Sequence, residues 1–221
     1  PSSTPPPLPG KKAVPRALPA EARPIVPADM PDNTGGGAPG DGTEILRELL
    51  RVGARGATVA CLWDAAAVAA CVKAGVGARI TLEIGGKVDD RHGAPVSVTG
   101  TVRTLSHGRF VHRGPMMRGL PGRLGPTAVL DVNDVKVILI SYRWQTLDPE
   151  MIRFVGIDPL LEKILVVKST IHYRAAFEPI AKEIIEVDAP GLSSSNLSRF
   201  EYRRIRRPIF PLDPDLVYEP E

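Results

Sequence analysis

The chain has 221 residues, 43% of them hydrophobic and 24% charged, with a net charge of +3. That is enough for one sizeable core. It argues against a dedicated nucleic-acid binder, and no apolar run reaches the ~18 residues of a membrane span. Cys61 and Cys71 are too few for a disulfide framework, and the head lacks the apolar core of a secretory signal, so a cytoplasmic protein is expected. Pro1 stands where Met would begin a natural chain, so a piece of a longer protein is expected.

Ten of the 23 prolines fall in the first 31 residues. Residues 1–23 therefore read as a Pro-rich, disordered linker, with a domain over 24–213 and a short tail over 214–221. Pro24–Ala28 reads as a first strand, and its flanking prolines suit a sheet edge or a strand terminus. A loop from Asp29 to Gly42 follows, with five glycines and three aspartates. Thr43–Val52 reads as a helix, capped by Thr43 or Asp41 and closed by Gly53. Ala57–Leu62 reads as a strand. Asp64 caps a helix over Ala65–Ala74, which is nearly all Ala and Val and so is expected to be buried on most sides. Arg79–Ile84 alternates as a strand does. This order predicts a partly parallel sheet with right-handed crossovers.

Farther along, Val96–Thr104, Arg109–His112, Thr127–Val132 and Val135–Ile140 read as a β-meander. Glu150–Val155 is a short helix. Lys163–Val167, apolar on both faces, is a buried strand. Ile171–Lys182 is helical in part, Glu183–Val187 is a last strand, and an Arg- and Pro-rich segment follows Leu192. The predicted fold class is α/β, a mixed sheet flanked by helices with a β-meander extension.

Three strand ends carry the candidate chemistry. The glycines of the first loop, Gly35, Gly36 and Gly37, let backbone approach a ligand, and their amides suit an anion. No Gly-Lys-Ser/Thr ending makes it a P-loop. Asp29, Asp32 and Asp41 suit a metal, an amine or a water to be activated. Asp41 equally suits a helix cap, and Asp32-Asn33 suits an Asx turn. The second end is Lys168-Ser169-Thr170-Ile171-His172-Tyr173-Arg174. Lys168 and Arg174 suit a carboxylate or phosphate, Ser169 a hydrogen bond or a helix cap, and His172 an acid, a base or a donor. Open α/β sheets place ligands at such carboxyl ends. The third end, Ser141–Gln145, offers Gln145 to a substrate amide. The four histidines and two cysteines show no metal-ligand spacing.

These stretches resemble a known family. Asp29 through Asp41-Gly42-Thr43, Ala74–Ala78, Gly85-Gly86-Lys87, Gly156-Ile157-Asp158-Pro159, Lys168-Ser169 with His172-Tyr173-Arg174, and Arg207–Asp213 run in the order seen in the C-terminal domain of the MlrC (microcystinase C) family of zinc metallopeptidases. Met30, Thr34 and Tyr173 depart from the commonest family residues. The resemblance implies a half enzyme. Its zinc would be bound mainly by an N-terminal domain of the same protein, and its substrate would be a peptide or other amide, as microcystin is for the type member. Asp32 and His172 are then the catalytic candidates. Asn33, Gly35, Gly36, Gly37, Asp41, Gln145, Lys168, Ser169 and Arg174 are the substrate-binding candidates, and no metal ligand is expected from this chain. The alternatives are a stand-alone domain holding an anion on its Gly-rich loop, and a scaffold whose Arg-rich tail meets an acidic partner.

Overall fold

The structure, a computed structural model, describes residues 6–217. Residues 1–5 and 218–221, and with them the ends of the expected linker and tail, lie outside the described residues. The elements in chain order are α1 (Gly10–Ala17), β1 (Ile25–Asp29), α2 (Glu44–Arg51), β2 (Ala57–Trp63), α3 (Ala65–Ala74), β3 (Arg79–Ile84), β4 (Val96–Ser106), β5 (Arg109–Val111), β6 (Pro121–Arg123), β7 (Thr127–Val132), β8 (Val135–Ile140), α4 (Glu150–Arg153), β9 (Ile164–Lys168), α5 (Arg174–Phe177) and β10 (Glu183–Val187). Eight strands form one mixed sheet in the order β10-β1-β9-β2-β8-β7-β4-β3, and β5 and β6 make a separate ribbon. From β10 to β8 every pairing is parallel, and from β8 to β3 every pairing is antiparallel. The meander is thus an extension of the main sheet, joined to it through β8.

Burial follows the pairing. β1 and β9 are buried at all five positions, and β2 at six of seven. Both faces of the parallel half are covered, which demands the Val/Ile/Ala-rich runs seen there. One face packs under α1, α2 and α3, with Ile45, Leu46, Leu49 and Val68 against Val59, Leu62, Val137 and Leu139. The other packs Leu165, Val167, Ile138 and Ile140 against Met151, Ile152, Tyr173 and Phe177. β4 instead alternates buried and exposed from Val96 to Arg103, as a half-solvated strand must.

Several expectations are corrected or refined. The linker reading fails within residues 10–17, where α1 buries Ala13, Val14 and Ala17 beside α2. The spacing of those three residues is helical, and the surrounding prolines mask it. Leu8 extends the order further, bonding to Glu186 and Asp188 at the end of β10. The first strand is not at an edge: β1 lies between β10 and β9, and on the β9 side its Ile25, Ala28 and Asp29 pair with Ile164, Val167 and Lys168, so the ladder passes over Pro27. β3 pairs antiparallel at the far edge, beyond the parallel region. Finally, α3 buries only Ala67, Val68 and Cys71, leaving Val72 half exposed. Its cap is as expected: Asp64 accepts the Ala67 amide at 2.9 Å. Thr43 stands at the start of α2 but sends its hydroxyl to the Ala94 carbonyl, so neither it nor Asp41 caps with a side chain.

Candidate functional site at the carboxyl ends of the parallel strands

β1, β9, β2 and β8 run the same way, so their carboxyl ends open onto one rim of the sheet. Asp29 and Lys168 end neighbouring strands and are register partners. The Lys168 ammonium turns into the protein, almost wholly buried. It donates to Asp29 Oδ2 at 2.9 Å, Asp32 Oδ2 at 2.7 Å and the Gly42 carbonyl at 2.9 Å. Asp32 is fully buried. Its Oδ1 accepts the Gly40 amide at 2.7 Å and its Oδ2 the Gly42 amide at 2.6 Å. One lysine and one aspartate therefore hold the whole Gly-rich loop against the sheet.

The electrostatics of this floor are those of a buried cation between two acids. Burial alone would lower the Lys168 pKa, but Asp29 and Asp32 outweigh it and hold the amine protonated. Burial raises the Asp29 carboxyl above its ordinary range; Lys168 opposes this and Asp32 adds to it. Asp32, expected as a general base, has both oxygens engaged and no path to solvent. Lys168, expected to meet substrate, is spent on the same cluster. Both are positioned as supports of the loop.

The glycines are corrected too. Residues 34–36 form a single 3₁₀ turn, with Asn33 as its cap. The Gly35 amide donates to Asn33 Oδ1, the Gly36 amide to the Asn33 carbonyl, and the Gly37 amide to the Thr34 carbonyl. None is left for an oxyanion. The glycines serve close packing instead. A Cβ on Gly35 would lie 2.9 Å from the Gln145 amide, and one on Gly36 would lie 2.5 Å from Ser193 Oγ. Gly37 adopts φ of 94°, which an L side chain resists. Asp41 is buried and accepts the Lys87 and Val88 amides at 2.7 and 3.0 Å, tying the loop to the segment after β3.

The rim above this floor carries the accessible chemistry. Gln145 Oε1 accepts from His172 Nδ1 at 3.1 Å and from Ser169 Oγ at 3.4 Å. A carbonyl oxygen only accepts, so Nδ1 is the donor in this contact, and Nε2 is the ring nitrogen left without a protein partner among the described residues. Asn33 Nδ2 donates to Thr170 Oγ1 at 3.0 Å, and Thr170 Oγ1 donates to the Met30 carbonyl at 3.1 Å. His172 is exposed, and Gln145 half-buried, while Ser169 is buried beneath them. The structure thus brings Asn33, Gly35, Gln145, Ser169 and His172 together. Arg174 it places elsewhere: its guanidinium pairs with Glu178 and Glu186 in a separate cavity of about 410 Å³ beside β10. Another cavity, about 1,020 Å³, lies between α1 and residues 199–203 and includes none of the candidates.

Two of the four histidines are buried, His92 and His112, and for His112 this corrects the surface position that its place beside a hairpin-like strand suggests. His92 Nδ1 lies 2.8 Å from Asp89 Oδ1, and its Nε2 accepts the Leu192 amide at 3.1 Å. It sits 3.9 Å from Asp32 Oδ1, bracing the loop from behind. Its only local signal was the Asp89-x-x-His92 spacing after Gly85-Gly86. His112 packs 3.3 Å from Asp148 Oδ2 and edge-on to Phe110, under the β5–β6 ribbon. Among the described residues no three His, Cys, Asp or Glu side chains converge to hold a metal ion. The acids nearest the rim already have their cation in Lys168. The residues present do not fit a metal by themselves.

The family described as MlrC C-terminus matches residues 28–204. The chain belongs to the MlrC C-terminal family. Microcystinase C of a Sphingomonas species is 30% identical over 195 residues, 88% of this chain and 37% of that protein. A crystal structure described as "Putative metallopeptidase from MESORHIZOBIUM SP. BNC1" superposes with a TM-score of 0.84 at 29% identity, over 98% of this chain and 43% of that one. The chain therefore spans less than half the length of either relative. The mixed α/β sheet agrees with that neighbour. For this MlrC-type domain no helix among the described residues is long and apolar enough to cross a membrane.

Proposed function

We propose that the chain is the C-terminal part of a metal-dependent amide or peptide hydrolase. It supplies the substrate-facing wall of a site whose zinc is held mainly by an N-terminal domain of the same protein. The observation that carries this is the rim of Asn33, Gln145, Ser169 and His172, which lies inside the family match and has no metal cluster of its own.

A hydrolytic metal would lower the pKa of bound water to ~7 and polarise the scissile carbonyl. This chain's own residues have narrower tasks. Gln145, with its oxygen facing His172 and Ser169, directs its NH₂ away from them toward a substrate carbonyl. His172, oriented by the contact of Nδ1 with Gln145, presents Nε2 to accept or return a proton at the leaving amide. Asn33 and Gly35 form the wall that seats Gln145, and the Asp29–Lys168–Asp32 cluster keeps that wall rigid. A stand-alone anion site on the glycine amides has less support, because those amides are occupied within the turn.

The test compares this chain with a form carrying its upstream region. Metal content is measured for both, together with hydrolysis of linear peptides. Metal and activity are expected only in the longer form, with His172→Ala and Gln145→Ala each lowering kcat/KM about 100-fold. Stoichiometric zinc on the short chain, or full activity in both variants, would sink the reading.

A further inference from the structure

The two basic side chains expected at these strand ends are neutralised: Lys168 by Asp29 and Asp32, Arg174 by Glu178 and Glu186. One cation on the same rim is not. Arg143 lies in the segment after β8, two residues before Gln145, and is exposed. Its guanidinium carbon sits 3.9 Å from the centre of the Trp63 ring. Its Nε donates to the Pro39 carbonyl at 3.1 Å. Trp63 is itself fixed: its indole nitrogen donates to the Ser141 carbonyl at 2.9 Å, and its amide donates to the Gly40 carbonyl at 2.9 Å.

We propose that Arg143 is a carboxylate-binding residue of this rim, selecting peptides that present an acidic group beside the amide held at Gln145. Stacking and the Nε bond set the plane of the guanidinium, so little side-chain entropy is lost on binding. Both terminal NH₂ groups lack an acceptor among the described residues, and together they form the two-pronged donor that a carboxylate matches. The nearby acids do not compete. Asp29 and Asp32 face Lys168 below, and Asp41 is turned to the Lys87 and Val88 amides. Arg143 bonds the Pro39 carbonyl and Gln145 packs closely against Gly35 of the same loop, which places the two side chains along one stretch of the rim.

This inference rests on the peptide-hydrolase reading, and its test is kept separate from turnover. The chain is titrated with three probes: N-acetyl-Ala-Ala as the free acid, the same peptide as its C-terminal amide, and N-acetyl-Glu-Ala-amide. The signal is the Trp63 indole N–H resonance. The wild type should bind at least one acid about tenfold more tightly than the neutral amide, and whichever acid does so shows whether the carboxylate is terminal or from a side chain. R143A should abolish that preference without changing binding of the neutral amide. R143K, which keeps the charge but not the fork, should restore only a small part of it. Equal binding of acids and amide by the wild type, no binding of either acid at millimolar concentration, or a preference that survives R143A overturns the proposal. Failure of the longer form to hydrolyse any peptide would count against the hydrolase reading alone, since the acid preference is measured without turnover.

Discussion

The two halves of the sheet use the same backbone to different ends. In the parallel half, β1, β9 and β2 are buried on both faces, and their carboxyl ends converge on Lys168, Gln145 and His172. In the antiparallel half, β3 and β4 expose every second side chain, and successive strands end at opposite edges. Parallel strands gather side chains from distant parts of the sequence at a single rim, whereas a meander spreads them over two. The candidate site sits where directions agree, and the meander supplies area and Gly100, whose Cβ would strike the Asp131 carbonyl at 2.8 Å.

The largest contrast between the halves should come from Lys168→Met. Removing the cation leaves Asp29 and Asp32 buried without a partner, at a cost of about 3–5 kcal/mol. Thr99→Val in the meander loses only the exposed hydroxyl bond to Thr81 and should change stability by less than about 0.5 kcal/mol. Urea unfolding measures both, and a similar cost for the two would erase the distinction. Next in size is Gly35→Ala. The added methyl would displace the Gln145 amide, so kcat/KM of the longer form should fall about tenfold while stability moves by about 1 kcal/mol or less.

The pH dependence follows from the same floor. The Lys168 pKa is raised above its ordinary 10.5, so its contribution is complete below that value and is lost as pH climbs through the higher folded value. Asp29 is also raised, so its effect has the same form but lies in acid: it favours the folded state below about its ordinary 3.8 and costs stability at neutral pH. Unfolding midpoints should therefore hold steady from pH 7 to 10 and decline above, and Lys168→Met should flatten that decline. The smallest expected effect is on the thiols. Burial pushes Cys61 up to about 12 and Cys71 up to about 11. Neither should react with a thiol reagent at pH 8 in the folded chain, and both should react in denaturant.

Much of the sheet was legible because its signals are local. The Ile164–Val167 run is apolar on both faces, Asp64 precedes an Ala-rich helix, and Asn133 and Asp134 turn at positive φ between β7 and β8. At the candidate site, the sequence named strand ends that the structure brings to one rim, but the partners of several side chains there were not visible in it. Lys168 lies 139 and 136 residues from its two aspartates, and Arg174 meets Glu186 on another strand. No spacing rule reveals the Lys168 pairing from that distance, whereas Arg174 and Glu178 stand at the i,i+4 spacing of a helix. The rim of Asn33, Gln145, Ser169 and His172 was legible because a short polar side chain just past a buried strand has nowhere else to point. Arg143 was hidden because its partners are an aromatic face and a carbonyl.

The placement of β1 has a consequence for how the molecule comes into being. Its two neighbours, β9 and β10, begin at residues 164 and 183. When the first strand has been synthesised, both of its edges must wait for almost the entire remaining chain. The loop behind it must wait as well, since the Lys168 that anchors it has yet to be made. Such far-separated parallel pairings are slow to close. The strand carrying Asp29 is therefore the first part of the sheet to be made and among the last to be enclosed, with Ile25, Val26 and Ala28 open to wrong partners throughout that interval.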